Sequence, residues 1–572
     1  MLSKTPNFDK ALNEILDNLK PQQRKCLQCS GTFEIFQEDI DFYKKLRVPP
    51  PKLCPDCRRQ TRLAFVNYTT LYKRRCSAPG HQEKIISQIP EPTLFSVYDF
   101  DYYWSGNWDP MKYARDYDFS KPFFEQIKEL LQTVPQPANT RDPASINSEY
   151  TAYGVQLKNC YYTFGGLHSE NVFYGHWPMN SRDCFDVLVP WDSERCYEVV
   201  YSKKCYHCQF VYFSQNCLDS AFLFDCRNCQ NCFGCLNLRN KKYHFFNQPL
   251  TKEGYKKRLS EIDLGDRQQL EYFKEQFLKL LISLPKRNLI HQNNVNSTGT
   301  LLENCRDCQE CFFVINGENL RYTEINLGRD CMDTLLGMAP SRCYYTATPY
   351  EGSELKFSVN SRKQSLGLEY CFNCKNCWYC FGCIGLVNKK FCIFNKQYSE
   401  KDYWQMVDKI KTQMLKVGEY GEFLPISFSW FPYNASLAQV FFPLNKDEAE
   451  KKGLRWVEIT PSEFRGKILS SEEVPANIRD VKDDILNVAI RCAKTNRLFR
   501  VIKSELEFYR KENLPVPILH PQERLLDRFS WLGSFKLEPI SCAKCGKLTM
   551  ASFRKGIKEN IYCEACYLQE VV

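Results

Sequence analysis

The stretch CRNCQNCFGCLNLRNKKYHFFN, residues 226–247, sets four cysteines three residues apart, and CFNCKNCWYCFGCIGLVNKKFCIFN, residues 371–395, nearly repeats it. A shift of 148 residues lays Cys226, Cys229, Cys232 and Cys235 on Cys374, Cys377, Cys380 and Cys383. Asn240, Lys241 and Lys242 then meet Asn388, Lys389 and Lys390, and Phe246-Asn247 meets Phe394-Asn395. Thr251 and Ser399 fall at matching places before helical patterns, where a hydroxyl is a natural N-cap. Upstream, RDCFD at Cys184 matches RDCMD at Cys331, and ERCYE at Cys196 matches SRCYY at Cys343. Any account of these cysteines has to hold twice.

Within each copy a cysteine or aromatic recurs about every ten to twelve residues, as short apolar runs (CYYTF, CFDVLV, CYEVVY) split by Ser, Asn, Asp, Lys and Gly. Such runs predict strands, and a short fixed period of strands predicts two β-solenoid modules. Cysteine, small and seldom exposed, suits a ladder inside them. Two other readings stay open for Cys226, Cys229, Cys232, Cys235, Cys374, Cys377, Cys380 and Cys383. One is a zinc site. The other is an iron–sulfur site, because C-x-x-C-x-x-C opens ferredoxin cluster loops. The proline that follows a further cysteine in those loops is absent. Cys371 adds a fifth cysteine to the second copy, Cys305, Cys308 and Cys311 form a shorter run, and the strand rhythm continues through them all. That continuity favours the thiol ladder.

Thirty-one cysteines in 572 residues would suggest disulfides in a small secreted domain. Here the chain opens with a charged amphipathic helix pattern, MLSKTPNFDKALNEILDNLK, and holds no run of eighteen apolar residues. A cytoplasmic protein without a membrane span is expected, its cysteines serving as metal ligands or buried thiols. The formal net charge of +10 permits anionic partners without showing them.

A second repeat joins the chain's ends. Residues 26–62 align without a gap with 492–528: Phe33 meets Phe499, Phe42-Tyr43 meets Phe508-Tyr509, and Pro49, Pro51 and Pro55 meet Pro515, Pro517 and Pro521. The first copy carries Cys26-x-x-Cys29 and Cys54-x-x-Cys57, and the C-terminal tail carries Cys542-x-x-Cys545 and Cys563-x-x-Cys566. Each set offers four thiolates for one tetrahedral Zn²⁺, with no position left for a reacting water, so two structural zinc sites are expected. In the 492–528 copy Cys29 becomes Thr495, Cys54 becomes His520 and Cys57 becomes Glu523. A Cys-His-Glu metal site and a ribbon that replaced its metal by packing both remain open, the second favoured. Cys76 and His81 lack a partner pair nearby and read as a surface turn.

Basic residues gather in and after the first ribbon. Lys44, Lys45, Arg58, Arg59, Arg62, Lys73, Arg74 and Arg75 lie among Phe42, Tyr43, Tyr68 and Tyr72. Cations interleaved with aromatics can hold a phosphate backbone and stack bases, which makes them candidate contacts to RNA or DNA. A solvated face is the plainer alternative. No Gly-rich phosphate loop, G-x-S-x-G elbow or HExxH occurs, and the seven histidines are scattered. Elsewhere a helix capped by Ser120 with Pro122 in its first turn, a helix pair over 255–285 broken around DLGD, and an extended aromatic segment over 423–434 are expected.

The order of these motifs resembles a known family. A C-x-x-C…FY-K…P…CP-x-CR ribbon and LYKRRC precede VYDFDYYWSGNWDPMKYARDYDFSKPFFEQ, then the NCFGC-x-NLRNKKY…FN modules and ELEFYRKENLPVPILHP. The chain is similar over nearly its whole length to cysteine-rich zinc-ribbon proteins of ultra-small uncultivated bacteria of the candidate phyla. Its first ribbon also resembles the probable zinc-ribbon domain of small bacterial proteins. Some members of the family carry a CaiB/BaiF CoA-transferase label, which no motif of this chain supports. The resemblance implies the architecture and says little about function.

The expected organisation is a multidomain α+β chain. Residues 1–23 form a helix, 24–82 a zinc ribbon, 83–150 an aromatic helical linker and 151–250 the first solenoid module. A helical connector, 251–297, leads to the second module, 298–397. A helix over 398–418, an extended and helical linker over 419–490, the degenerate ribbon copy over 491–534 and the C-terminal ribbon over 535–572 complete it. The expected function is a non-enzymatic, zinc-stabilised scaffold that holds a macromolecule, with RNA or DNA as the partner considered. An enzyme of unknown reaction and a thiol-rich metal or iron–sulfur protein are the alternatives.

Overall fold

The computed structural model describes every residue except 1–2, 339–343, 345, 348–349, 354–355, 358, 360–361, 459–463, 555 and 572. The expected match at Cys343 therefore lies outside the described residues. The fold mixes α and β. It gathers into two compact units, each assembled from separated stretches. Met1–Asn67, Tyr72–Asn139 and Ile290–Val457 form one; Tyr68–Leu71, Thr140–Leu289 and Glu458–Val572 form the other. Each unit thus unites a cysteine-rich repeat from mid-chain with segments from a chain end.

The repeats are parallel ladders. In the first, Val199 pairs with Val211, Val211 with Leu223 and Leu223 with Cys235, each step advancing twelve residues. The second keeps the twelve-residue step at Cys308–Leu320 and shortens it to eleven at Leu320–Cys331. The regularity inside each step was not anticipated. From Arg195 to Asn231 every third residue has a positive φ near +50°, including bulky ones such as Phe210 and Phe222. A left-handed residue turns the chain, so the ladder is built of three-residue sides. One residue per side faces inward. The buried cluster of the first ladder runs through Cys196, Val199, Cys205, Cys208, Val211, Cys217, Leu223, Cys226, Cys229, Cys232 and Cys235, all separated by multiples of three. The spacing C-x-x-C-x-x-C is therefore the spacing of inward positions on successive sides.

Inward cysteines also satisfy the backbone. The Cys208 thiol donates to the carbonyls of Tyr206 and Cys217, both at 3.4 Å, and the Cys226 thiol to those of Phe224 and Cys235 at 3.6 and 3.4 Å. Cys371 and Cys377 repeat the pattern in the second ladder, reaching two residues back and nine ahead. Serine at the same kind of position does likewise: the Ser181 hydroxyl donates to Met179 and Pro190 carbonyls and accepts from the Ser193 N–H. A small side chain with one donor is what the narrow interior admits. Burial raises the thiols of Cys160 (to about 11), Cys196 and Cys226. Cys229 is held lower by hydrogen bonds from its neighbours Cys217, Cys226 and Cys232. At the outer turns Asn216 donates to Asn228 and Asn228 to Asn240, an amide ladder on left-handed residues that asparagine tolerates.

Each ladder ends in a helix with the expected cap. Thr251 Oγ1 accepts from the Gly254 N–H at 3.0 Å, and Ser399 Oγ from the Asp402 N–H at 3.1 Å. The helix pair beyond the first ladder is Lys252–Ser260 and Arg267–Ser283. The helix assigned to a Ser120 cap instead spans Phe123–Thr133 with Pro122 at its N-cap. Asp118 accepts from both the N–H and the hydroxyl of Ser120, which spends that hydroxyl on a turn. Segment 423–434 carries two short 3₁₀ turns, Ile426–Phe428 and the start of Tyr433–Ala435. Among the described residues no helix is long and apolar enough to cross a membrane.

If the inward sulfurs act as fillers and donors, Cys208→Ser should cost about 1 kcal/mol or less, because serine keeps the donor. Cys208→Leu should cost about 1–3 kcal/mol through overpacking. Urea unfolding midpoints measure both, and a serine variant as unstable as the leucine one would refute the role.

Candidate metal centres

The first cysteine set is assembled from a hairpin and a helix start. Strands Gln22–Lys25 and Thr32–Ile35 pair antiparallel, and Cys26 and Cys29 occupy the turn between them. Ser30, at φ +61°, closes that turn by donating its N–H to the Cys26 carbonyl. Cys54 is the N-cap of the helix Pro55–Ala64 and Cys57 lies in its first turn. The Leu27 N–H reaches the Lys52 carbonyl at 3.2 Å and holds hairpin and helix start together.

The second set has the same plan. Strands Glu538–Ser541 and Leu548–Ala551 form the hairpin, Cys542 and Cys545 sit in its turn, and Gly546 takes φ +73°. Cys563 and Cys566 stand at the start of the helix Glu564–Val571. The Ala543 N–H donates to the Ile561 carbonyl at 3.0 Å, as Leu27 does in the first set.

In both sets the four sulfurs lie within 4.8 Å of one another. Cys29 and Cys54 sulfurs are 3.8 Å apart, and so are those of Cys545 and Cys563. A tetrahedron of ~2.3 Å metal–sulfur bonds has edges of about 3.8 Å, so the spacing of both sets suits one metal ion each. Their protonation is shared. A hydrogen bond from the Cys57 thiol lowers Cys54 to about 5, and Cys57 is raised in return. Burial opposes ionisation of Cys542, yet N–H groups of Cys545 and Cys563 bring it down to about 6. Among the described residues no other group of three or more His, Cys, Asp or Glu ligand atoms gathers so closely. The sulfurs of Cys226, Cys229, Cys232 and Cys235 do not gather so, and neither do those of Cys374, Cys377, Cys380 and Cys383. Cys76 instead accepts from the Asp99 N–H, and His81 pairs with Glu83.

The 492–528 copy keeps this frame without the ligands. The Cys492 N–H donates to the Arg497 carbonyl and the Ala493 N–H to the Ile518 carbonyl, the equivalents of bonds in the first set. Lys494 forms an ion pair with Glu523 at 2.9 Å, where the metal set has Cys57. His520 caps the helix Pro521–Trp531 by accepting from the Gln522 N–H at Nδ1, and its own N–H donates to the Cys492 sulfur. Burial pushes His520 down to about 3, which keeps it a neutral acceptor. An ion pair and a capped helix occupy the place of a metal.

The helix that carries Cys57 also carries Arg58, Arg59 and Arg62, which sequence reading offered to nucleic acid. The structure corrects this: all three are buried against carboxylates of the second ladder. Arg58 Nε meets Asp333 at 2.9 Å, and Arg59 Nε meets Glu324 at 2.7 Å. Arg62 bridges Asp333 and Glu324 at 2.7 and 2.9 Å and donates to the Tyr322 carbonyl. The second unit repeats the arrangement. Arg524 and Arg528 both bind Asp186, Arg524 also reaches Glu505 at 3.0 Å, and Arg528 donates to the Tyr174 carbonyl. Asp333 and Asp186 occupy matching places in RDCMD and RDCFD, both at left-handed residues. The C-terminal set docks on the first ladder in a related way: the Tyr567 hydroxyl donates to Asp225 at 2.6 Å, beside Arg287 and Arg239.

Arg74 is buried as well, donating to the Ile89 and Pro90 carbonyls, whereas Lys44, Lys45, Lys73 and Arg75 remain exposed. A sequence signal for the arginine role existed. Arg58 and Arg62 persist as Arg524 and Arg528 in a copy that has lost three of its four ligand cysteines. Comparison with family models and with curated proteins returns no match.

Arg62→Met should cost about 3–5 kcal/mol, because it strands Asp333 and Glu324 in the interior. Arg528→Met should act comparably, while Lys44→Met and Lys73→Met should stay within about 0.5 kcal/mol. Chemical denaturation of each variant is the measurement.

Proposed function

We propose that this protein is a non-enzymatic, zinc-stabilised scaffold. In it, two β-solenoid modules of four three-residue sides per coil are capped by ribbon units. The carrying observation is the pair of closed four-cysteine sets, whose sulfur spacing suits Zn²⁺ and leaves no open coordination position. The left-handed residue at every third position and the twelve-residue register support the solenoid reading. The metal's part is to hold a hairpin onto a helix start, and the helix in turn presents arginines or a tyrosine to the ladder. In this reading metal retention and the integrity of the ladder caps are one property.

The partner proposed is an anionic macromolecule. Lys44, Lys45, Lys73 and Arg75, exposed around the first ribbon, support it, and so does the net charge of +10. RNA or DNA is the first candidate. The contact rests on these four, since the arginines of the neighbouring helix are engaged with carboxylates.

Elemental analysis of protein purified anaerobically should find about two zinc per chain and no iron, and iron with sulfide would overturn the scaffold reading. Cys29→Ser and Cys545→Ser should each remove about one zinc and lower the thermal midpoint. Binding to total cellular RNA or DNA should weaken with salt and fall further in a Lys44→Ala, Lys45→Ala, Lys73→Ala, Arg75→Ala variant. No binding at low salt would remove the nucleic-acid partner while leaving the zinc scaffold standing.

A further inference from the structure

The unit containing the first four-cysteine set also holds a cavity of about 280 Å³ that no cysteine lines. Its size lies just under the roughly 300–1,000 Å³ of small-molecule sites, room for a body of one or two rings. Three segments wall it: residues 92–95, the helix Phe123–Thr133 and residues 427–430. Phe95, Phe428 and Trp430 supply flat aromatic walls and Leu131 an aliphatic one.

The charged residues that line it are both cationic. No Asp or Glu lines the cavity, but Lys128 and Arg455 do, both exposed to solvent. Arg455 donates to the Trp430 carbonyl at 3.1 Å and the Pro92 carbonyl at 3.2 Å, lashing two walls together, and among the described residues its charge meets no carboxylate. Lys128 Nζ sits 5.5 Å from the centre of the Phe428 ring and likewise has no acidic partner among the described residues. Behind the wall, Arg74 donates to Thr93 Oγ1 at 3.3 Å and adds a third positive charge, with Glu91 3.9 Å away on its outer side. Two cations at the mouth of an aromatic slot are complementary to a flat apolar body that carries one negative group. An ammonium ligand would find the same aromatic rings but face like charge.

We propose that this cavity binds a small aromatic carboxylate, its rings against Phe428 and Trp430 and its carboxylate between Lys128 and Arg455. Aromatic stacking would supply the apolar part of the affinity and the charge-assisted hydrogen bonds the selection for an acid.

The test is isothermal titration calorimetry of the intact protein with 2-naphthoate, and with 2-naphthamide as its neutral counterpart. Saturable one-to-one binding of the acid is expected, with the amide about tenfold weaker. Lys128→Gln, at an exposed position, should weaken the acid about threefold and leave the amide unchanged. Arg455→Gln should weaken the acid more, and Ser427→Trp, which fills the slot from its exposed edge, should abolish binding of both. Absence of saturable binding below about 10 mM, or equal binding of acid and amide, would overturn the proposal.

Discussion

Buried arginine–carboxylate contacts are the interaction on which both units depend. In each, a helix lowers two arginines onto an aspartate at a turn of the ladder: Arg58 and Arg62 on Asp333, Arg524 and Arg528 on Asp186. Removing such charges from water is expensive, and the cost is offset only where geometry is good and remaining donors find acceptors. Here both carboxylate oxygens of each aspartate take a guanidinium, and Arg62 and Arg528 place a further donor on a ladder carbonyl, although the Nε atoms of Arg62, Arg524 and Arg528 find no acceptor among the described residues. Tyr322 and Tyr174 lie under Arg58 and Arg524 at 5.0 and 4.8 Å, giving each cation an aromatic face. Apolar packing alone would tolerate several ways of seating a small ribbon on a regular ladder. A buried charge tolerates one, because every other register leaves it unpaired.

The pairing that results is interleaved along the chain. The hairpin and helix at the start of the sequence seat on the later ladder, and their copy near the end seats on the earlier one. Nothing in local sequence favours this over seating on the neighbouring repeat. It follows from which ladder presents Tyr322, Glu324 and Asp333 to a helix with three arginines, and which presents Tyr174 and Asp186 to a helix with two.

The copies at 26–62 and 492–528 show how much of the frame persists without the four-cysteine set. The 492–528 copy retains the hairpin, the helix and the connecting N–H bonds after losing three ligands. A Lys494–Glu523 pair, a histidine cap and the arginine lock suffice there, within a unit that supplies a large surface to pack on. The four-cysteine sets, one in the first copy and one in the C-terminal tail, carry partly exposed thiols, Cys29 and Cys545 among them. Such thiols gain from a ligand that fixes their protonation and geometry.

The sequence by itself determined the two repeats, the two four-cysteine sets with their closed ligand number, the helix caps at Thr251 and Ser399, and the burial of the mid-chain cysteines. All of these are local: spacing and residue chemistry within a few positions carry them. The three-residue beat was legible too, in the recurring Asn-Cys pairs at 216–217, 228–229, 231–232 and 376–377, where a left-handed asparagine precedes an inward thiol. It went unread because cysteines three apart also spell a metal knuckle, and only the register separates the two. The destination of Arg58, Arg59 and Arg62 belonged to the tertiary structure alone. An arginine beside aromatics looks the same in sequence whether it awaits a phosphate or a carboxylate, and the carboxylates of Asp333 and Glu324 that take these three lie more than 250 residues away. Long-range charge pairing leaves no local trace, so only the folded chain decides it.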